Sequence, residues 1–392
     1  MTRSALLLII VVILAACCLP SLAATQYTHT RITTLNARVS DGQVNSSGTV
    51  VFTAQDNVTL HTAVYLNSRN YSAPILGPQS NSFARGINDA GQITWNGAAT
   101  GWVGNVYRDS TIVSQSAGAL EGYPKAINAL GQIAWCGLLG SGGYDAFVDQ
   151  ECVSAKLAPP KSQNAYAADL NDLGHLLWNT GGNAQVPGGV YLDTWRISAL
   201  VPGVTGSMGI AVNNNDQVAW YGSLNSRCDV FRNGDNLSAS VLGYYRAAGP
   251  RDINDVGQVL WSGHGTNTSD YTHVFLDQMD ISAPVIGAQA DARAIALTPD
   301  GHVMWSGGNP ATHREDIYVD SFNLSLDALG GQNRKVFGLS ISSAGHVLWT
   351  STIPNTNITE VWLSTPVPEP SSLLALLTSG LALCGFARRR RS

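Results

Sequence analysis

Apolar and polar residues alternate along most of this chain, and the same polar punctuation interrupts the alternation at regular intervals. In Ile87-Asn88-Asp89-Ala90-Gly91-Gln92-Ile93-Thr94-Trp95 an apolar run meets Asn-Asp-x-Gly and resumes beyond it. The pattern returns as Ile127 to Trp135, Leu170 to Trp178 and Ile253 to Trp261, with weaker copies ending at Phe52, Trp220, Trp305 and Trp349. Consecutive terminal aromatics are 40 to 44 residues apart, and seven of the ten Trp residues occupy this slot. Alternation is the period of a strand, so each copy predicts a tight β-hairpin. Such a loop commonly takes a type I turn followed by one left-handed residue. Gly48, Gly91, Gly131, Gly174, Gly257, Gly301 and Gly345 fill that position, and the exception, Asp216, is a type that tolerates it. The preceding Asn or Asp can bond its own backbone two residues on. A calcium loop needs several alternating carboxylates, whereas each copy carries one acid at most, so the motif reads as a turn and no metal is expected.

A second signature follows each hairpin: Val64-Tyr65-Leu66-Asn67, Val106-Tyr107-Arg108-Asp109, and so on to Val361-Trp362-Leu363-Ser364. Each predicts a strand ending in a polar turn. A short fourth strand is expected after most of them, such as Arg196 to Leu200. Four strands in about 42 residues is the size of a propeller blade. The eighth copy ends after its third strand, while Arg31-Ile32-Thr33-Thr34-Leu35 resembles a fourth strand and precedes the first copy. The expected architecture is therefore all-β, an eight-bladed β-propeller whose last blade is closed by the N-terminal strand, which leaves no exposed sheet edge. The alternative is an open β-solenoid, which would need capping repeats and leaves the split copy unexplained. The repeat also resembles the extracellular HAF-type repeats of secreted bacterial proteins, with their Ile-Asn-x-x-Gly-x-Ile core, over roughly residues 37 to 365.

The two ends read as addresses. Arg3, the apolar run Ala5 to Ala16 and Ser21-Leu22-Ala23 predict a secretory signal over residues 1–24, with cleavage near Ala23 and Ala24. Leu14-Ala15-Ala16-Cys17 offers the alternative of a lipobox with Cys17 lipidated. At the other end, Val367-Pro368-Glu369-Pro370 precedes an apolar stretch, Leu373 to Ala387, and then Arg388, Arg389, Arg390 and Arg391. Prolines leave an extended, accessible segment, and an Arg cluster holds its end in the cytoplasm. This order resembles the PEP-CTERM sorting signal of Gram-negative bacteria, here over residues 366–392. The resemblance implies export, anchoring in the inner membrane by a transmembrane helix, cleavage near Pro-Glu-Pro by an exosortase, and delivery to the cell surface or exterior. It also implies association with exopolysaccharide or biofilm. Residues 25–365 are left as the propeller.

Composition narrows the function. All 27 acidic residues lie between Arg3 and Arg388, whereas five of the 22 basic ones are at those ends, so the middle carries 17 basic against 27 acidic residues, a formal −10. Such a surface repels phosphate backbones, and no nucleic-acid partner is expected. No nucleophile elbow, phosphate loop or zinc spacing occurs, and no cofactor is expected. His175, His302 and His346 stand where Gln occurs in other copies and read as turn-flanking substitutes. Cys136, Cys152 and Cys228 are odd in number, and the spacing of the first two across a blade argues against a disulfide.

Loops joining second to third strands vary in length and share a face with the connections between blades, opposite the constant hairpins. Function usually sits on such loops. The expected ligand face comprises Trp102, Asn183, Gln185, His264, Asn267, Asp270, Tyr271, Asn309, His313 and Arg314, whose aromatic and amide groups suit sugars. The expected function is a non-enzymatic surface or matrix protein associated with polysaccharide. The alternative is a secreted carbohydrate-active enzyme, which would need two carboxylates about 5 to 9 Å apart on that face.

Overall fold

Each Asn-Asp-x-Gly copy folds as the hairpin that its alternation predicts. In the second copy, strands Asn81–Ile87 and Ile93–Ala98 pair antiparallel around a turn in which Gly91 N–H donates to Asn88 C=O at 3.0 Å. The turn glycines have φ between +78° and +96°, and Asp216 has +58°. The structure is a computed structural model that describes residues 26–99, 104–140, 142–157, 164–182, 187–225, 227–242, 248–264, 271–309 and 314–367.

These residues form eight four-stranded antiparallel sheets. Seven take their strands in chain order, and the eighth is assembled from Lys335–Ile341, Val347–Thr352, Thr359–Pro366 and Tyr27–Leu35. The N-terminal strand thus completes the last blade, over a longer span than the five residues read from the sequence. The first strands of successive blades neighbour one another all the way round, including the first and the eighth, and so line the axis. One core cluster joins Val50, Phe52 and Ala54 of blade 1 to Leu348 and Val361 of blade 8. The ring is closed, and the solenoid alternative is set aside.

Each terminal aromatic fills the space between two blades. All seven motif Trp residues and Phe52 are fully buried. Trp95 stacks on Tyr107 of the third strand, with centroids 4.1 Å apart, and its Nε1 donates to Asp109 C=O at 2.7 Å. That carbonyl is presented because Asp109 is left-handed (φ +52°), while its side chain accepts Ile93 N–H at 3.0 Å. Asp and Asn recur there because they tolerate this backbone and close the strand end. Ser364 replaces them only in blade 8, where the chain goes straight on and makes no turn; Trp349 Nε1 donates to its hydroxyl at 2.8 Å.

The fourth strands are shorter than expected. The stretch from Arg196 to Leu200 is a two-residue strand, Trp195–Arg196, followed by one turn of 3₁₀ helix at Ile197–Leu200. A buried serine explains the early stop. Ser198 Oγ accepts Val190 N–H at 3.3 Å, the third-strand donor that a longer fourth strand would have used. Ser72, Ser114, Ser154, Ser238, Ser282 and Ser325 do the same eight residues after their partners.

Neighbouring hairpins are sewn together by the asparagines. Asn88 Oδ1 accepts Gln92 N–H at 2.9 Å within its own turn, and its Nδ2 donates to Asn128 C=O in the next blade at 3.0 Å. The same link runs from Asn45 through Asn213 to Asn254. In blades 7 and 8 Thr298 and Ser342 replace Asn, and their hydroxyls serve their own turns (His302 N–H at 2.8 Å, His346 N–H at 3.1 Å) without the reach of an amide.

Where Gln follows the turn, at positions 92, 132, 217 and 258, it reaches over the next blade's glycine. A Cβ on Gly257 would lie 2.6 Å from Gln217 Oε1, whereas one on Gly91 would meet nothing within 4 Å. Gln217 is itself held by Asn213 Nδ2 at 2.8 Å. Gly257→Ala is therefore expected to cost about 1 kcal/mol more than Gly91→Ala, each also paying the left-handed cost of about 1–2 kcal/mol. Denaturant midpoints check this, and Gln217→Ala should remove the difference. Equal costs would assign the glycine to backbone conformation alone. In blade 5 the residues change together: Asp216 takes the glycine position and His175 the preceding Gln, with His175 Nδ1 2.7 Å from Asp216 Oδ1.

Candidate functional site

The variable face carries a groove of about 1100 Å³ across blades 6, 7 and 8. It is built on strand ends. In blade 6, His264 ends the second strand and pairs with Thr272, and its Nδ1 lies 3.3 Å from Thr272 Oγ1. Thr272 N–H donates to Asp291 Oδ1 at 2.9 Å, and Gly308 N–H donates to Asp291 C=O at 2.8 Å, so Asp291 ties blade 6 to blade 7. Arg314 opens the third strand of blade 7 and donates from Nε to Asp316 Oδ1 at 2.8 Å. Arg251, on the first strand of blade 6, donates from Nε to Ile295 C=O at 2.8 Å. Tyr271, Arg293 and Glu315 also line the groove.

Of the residues expected on this face, His264, Tyr271 and Arg314 come together in the groove. His264, Asn309 and Arg314 stand at strand ends and not in loops, because the ladders continue through His264↔Thr272 and Asn309↔Arg314. Trp102, Asn183, Gln185, Asn267, Asp270 and His313 lie outside the described residues. Arg251, Asp291 and Arg293 were missed. Asp291 and Arg293 belong to a blade-to-blade connection and the strand after it, which share this face, and that shared face was the available signal.

Two further carboxylates face the axis. Asp169 Oδ2 accepts Val212 N–H from blade 5, and Asp252 Oδ2 accepts Leu297 N–H from blade 7, both at 2.9 Å. Burial pushes Asp169 up to about 7 and Asp252 up to about 6, against the pull of those backbone donors. A carboxyl with a raised native pKa holds its proton more tightly folded than unfolded, so stability falls as pH rises from about 4 through about 7. The denaturant midpoint is expected to drop between pH 5 and pH 8, and the Asp169→Asn, Asp252→Asn double variant should flatten that drop. An unchanged drop would locate it elsewhere.

Among the described residues no group of three or more His, Cys, Asp and Glu could hold a metal, and no helix is long and apolar enough to cross a membrane. Cys136, Cys152 and Cys228 are free thiols. Cys136 accepts Ala167 N–H at 3.2 Å, and burial pushes its thiol up. His302 pairs with Asp320 at 2.7 Å, and this hydrogen bond raises its pKa.

Of the terminal addresses, Val367 is described, and its N–H donates to Gln26 C=O at 2.8 Å. Ala23, Ala24, Cys17, Pro368, Glu369, Pro370, Leu373 to Ala387 and the four terminal Arg residues lie outside the described residues. Nothing among the curated proteins matches the chain. Residues 366–391 match the family described as the PEP-CTERM protein-sorting motif. The chain thus pairs an eight-bladed propeller with a PEP-CTERM sorting motif, which marks it for export and exosortase-mediated delivery to the cell surface or beyond.

Proposed function

We propose that the protein is a non-enzymatic, exosortase-processed surface or matrix component whose variable face binds an extracellular polysaccharide. In this reading residues 1–24 are a signal removed by cleavage near Ala23, residues 25–365 are the propeller, and Leu373 to Ala387 spans the inner membrane until cleavage near Pro-Glu-Pro. The observation that carries the binding half is the groove. It places the aromatic Tyr271 beside the donors Arg251, Arg293 and His264 and the acceptor Asp291. A sugar ring needs this combination, an apolar face to stack on with hydrogen-bond donors and acceptors around it.

The test is retention of the mature protein on the host's own exopolysaccharide. Tyr271→Ala and Arg293→Ala are each expected to weaken retention about tenfold, for a contact worth about 1.4 kcal/mol, with melting unchanged. Retention equal to the unsubstituted protein in both variants would exclude the groove.

One observation favours an enzyme instead: Asp291 and Glu315 both line the groove. Asp291 immediately precedes the first strand of blade 7 and Glu315 lies on its third, roughly 10 Å between backbones, which is within reach of a carboxylate pair. Both are exposed, whereas a general acid needs the apolar burial that raises its pKa. Release of reducing ends from the polysaccharide, abolished by Glu315→Gln, would establish the enzyme.

A further inference from the structure

The fold fixes the face from which the chain leaves the propeller. In blade 8 the second strand starts beside hairpin residue His346 and runs toward the variable face; the third strand, Thr359–Pro366, returns. Its end is back at the hairpin, where His346 Nδ1 lies 3.2 Å from Thr365 Oγ1. The closing strand begins at the same place, with Thr28 Oγ1 donating to Thr365 C=O at 3.3 Å. Both ends of the propeller therefore open on the hairpin face, opposite the groove. Only six residues, Val367 to Ser372, separate this exit from the apolar stretch at Leu373. Fully extended they span about 20 Å.

We propose that, while the sorting segment is held in the membrane, the hairpin face is the surface that lies against the lipid bilayer, and the groove face points away from it. This rests on the reading that Leu373 to Ala387 is membrane-held before processing. A 20 Å tether is shorter than a propeller is wide, so it cannot let the opposite face turn to the lipid. The hairpin face presents exposed apolar tips at Leu130, Leu173 and Val256, with Trp195 and Met279 beside turns on the same face. Interfacial lipid accepts such side chains singly. Hairpin turns on this face also carry Asp89, Asp172, Asp255 and Asp300, so the surface fits a zwitterionic bilayer better than an anionic one. Before cleavage the groove is consequently already free to meet a polymer outside the membrane.

The full chain, reconstituted into phosphatidylcholine vesicles, tests this with a photo-crosslinking residue. Leu173→p-benzoylphenylalanine places it on a hairpin tip, and Val58→p-benzoylphenylalanine in the loop between the second and third strands of blade 1, on the groove face. Both positions are exposed, so neither change disturbs the core. Lipid adducts are expected at least fivefold more often from position 173 than from position 58, with a lower yield when a third of the lipid is phosphatidylglycerol. Equal or reversed yields from a chain that floats with the vesicles would overturn the orientation while leaving the anchoring intact. A chain that does not float with the vesicles would overturn the membrane-held stage itself.

Discussion

Deleting Tyr27 to Leu35 should abolish the folded propeller, whereas ending the chain after Thr365 should leave it folded. The two cuts remove segments of opposite standing. The first takes out a whole strand of blade 8 and bares the edge of Thr359–Pro366. Tyr27 is buried, and Ile32 and Leu35 are half-buried against the cluster joining blades 8 and 1, each worth about 1 kcal/mol or more of burial. The strand also carries Arg31, whose Nη1 donates to Glu360 at 2.7 Å. The Glu360 side chain is only 4% exposed and is also held by Arg334 and by Ser351 Oγ. Burial alone would raise its pKa, but the two guanidinium groups hold it below the usual carboxylate range. Without Arg31 the buried Glu360 keeps only Arg334 and Ser351, and because the Arg31 side chain is itself 55% exposed this loss is worth about 1 kcal/mol. With the ladder hydrogen bonds of a nine-residue strand added, these losses approach the total stability of a typical domain, about 5–15 kcal/mol, before the unpaired edge invites association. The cut after Thr365 removes only Pro366 from blade 8. Circular dichroism melts and gel filtration of the two truncations decide the matter. A cooperative melt within a few degrees of the intact protein after loss of residues 27–35 would show that the ring closes without its N-terminal strand.

The second large effect is expected from the buried tryptophans. Trp178→Ala should cost about 3–5 kcal/mol, the range for emptying an aromatic site in a packed core. Trp178 is fully buried, stacks on Tyr191 with centroids 4.6 Å apart, and donates from Nε1 to Asp193 C=O at 2.7 Å. The alanine variant leaves a cavity between blades 3 and 4, where Val148, Val153 and Leu176 share its cluster, and strips the Asp193 carbonyl of its donor. Trp178→Phe should cost less, about 1–3 kcal/mol, chiefly for that unpaired carbonyl. Blade 1 shows that the smaller ring can be housed, since Phe52 is fully buried and stacks on Tyr65 at 5.2 Å. Denaturant unfolding of both variants, with hydrogen exchange to see whether blades 3 and 4 open before the rest, measures the effect. An alanine variant within about 0.5 kcal/mol of the parent would mean the blades collapse onto the gap, and the slot would then be a packing preference and not a requirement.

Within a blade, the constraints that shape the chain lie close together in sequence. Alternation around Asn88-Asp89-Ala90-Gly91 states two strands and their turn, because the turn's hydrogen bonds and the left-handed glycine are local. The spacing of the terminal aromatics states the number of blades. The lone Ser364, where Asp or Asn stands elsewhere, together with the strand-like Arg31 to Leu35, states how the ring closes. The PEP-CTERM motif is legible for the same reason: its parts are contiguous.

What joins one blade to the next was not legible, since those partners lie a whole repeat apart and no local rule pairs them. The turn asparagine looked like a self-contained turn former, yet its amide also reaches the next blade. The turn glycine looked like a matter of φ alone, yet at Gly257 it also makes room for Gln217. The serine eight residues after its third-strand partner in blades 1 to 7 drew no notice, because a hydroxyl that replaces a strand's ladder partner has meaning only once the two are folded together. The groove followed the same division. Sequence placed His264, Tyr271 and Arg314 on one face, because a meander sends alternate loops to the same side. Only the closed ring brought Arg251, Asp291 and Arg293 beside them, because curvature around the axis sets which blades' strand ends converge.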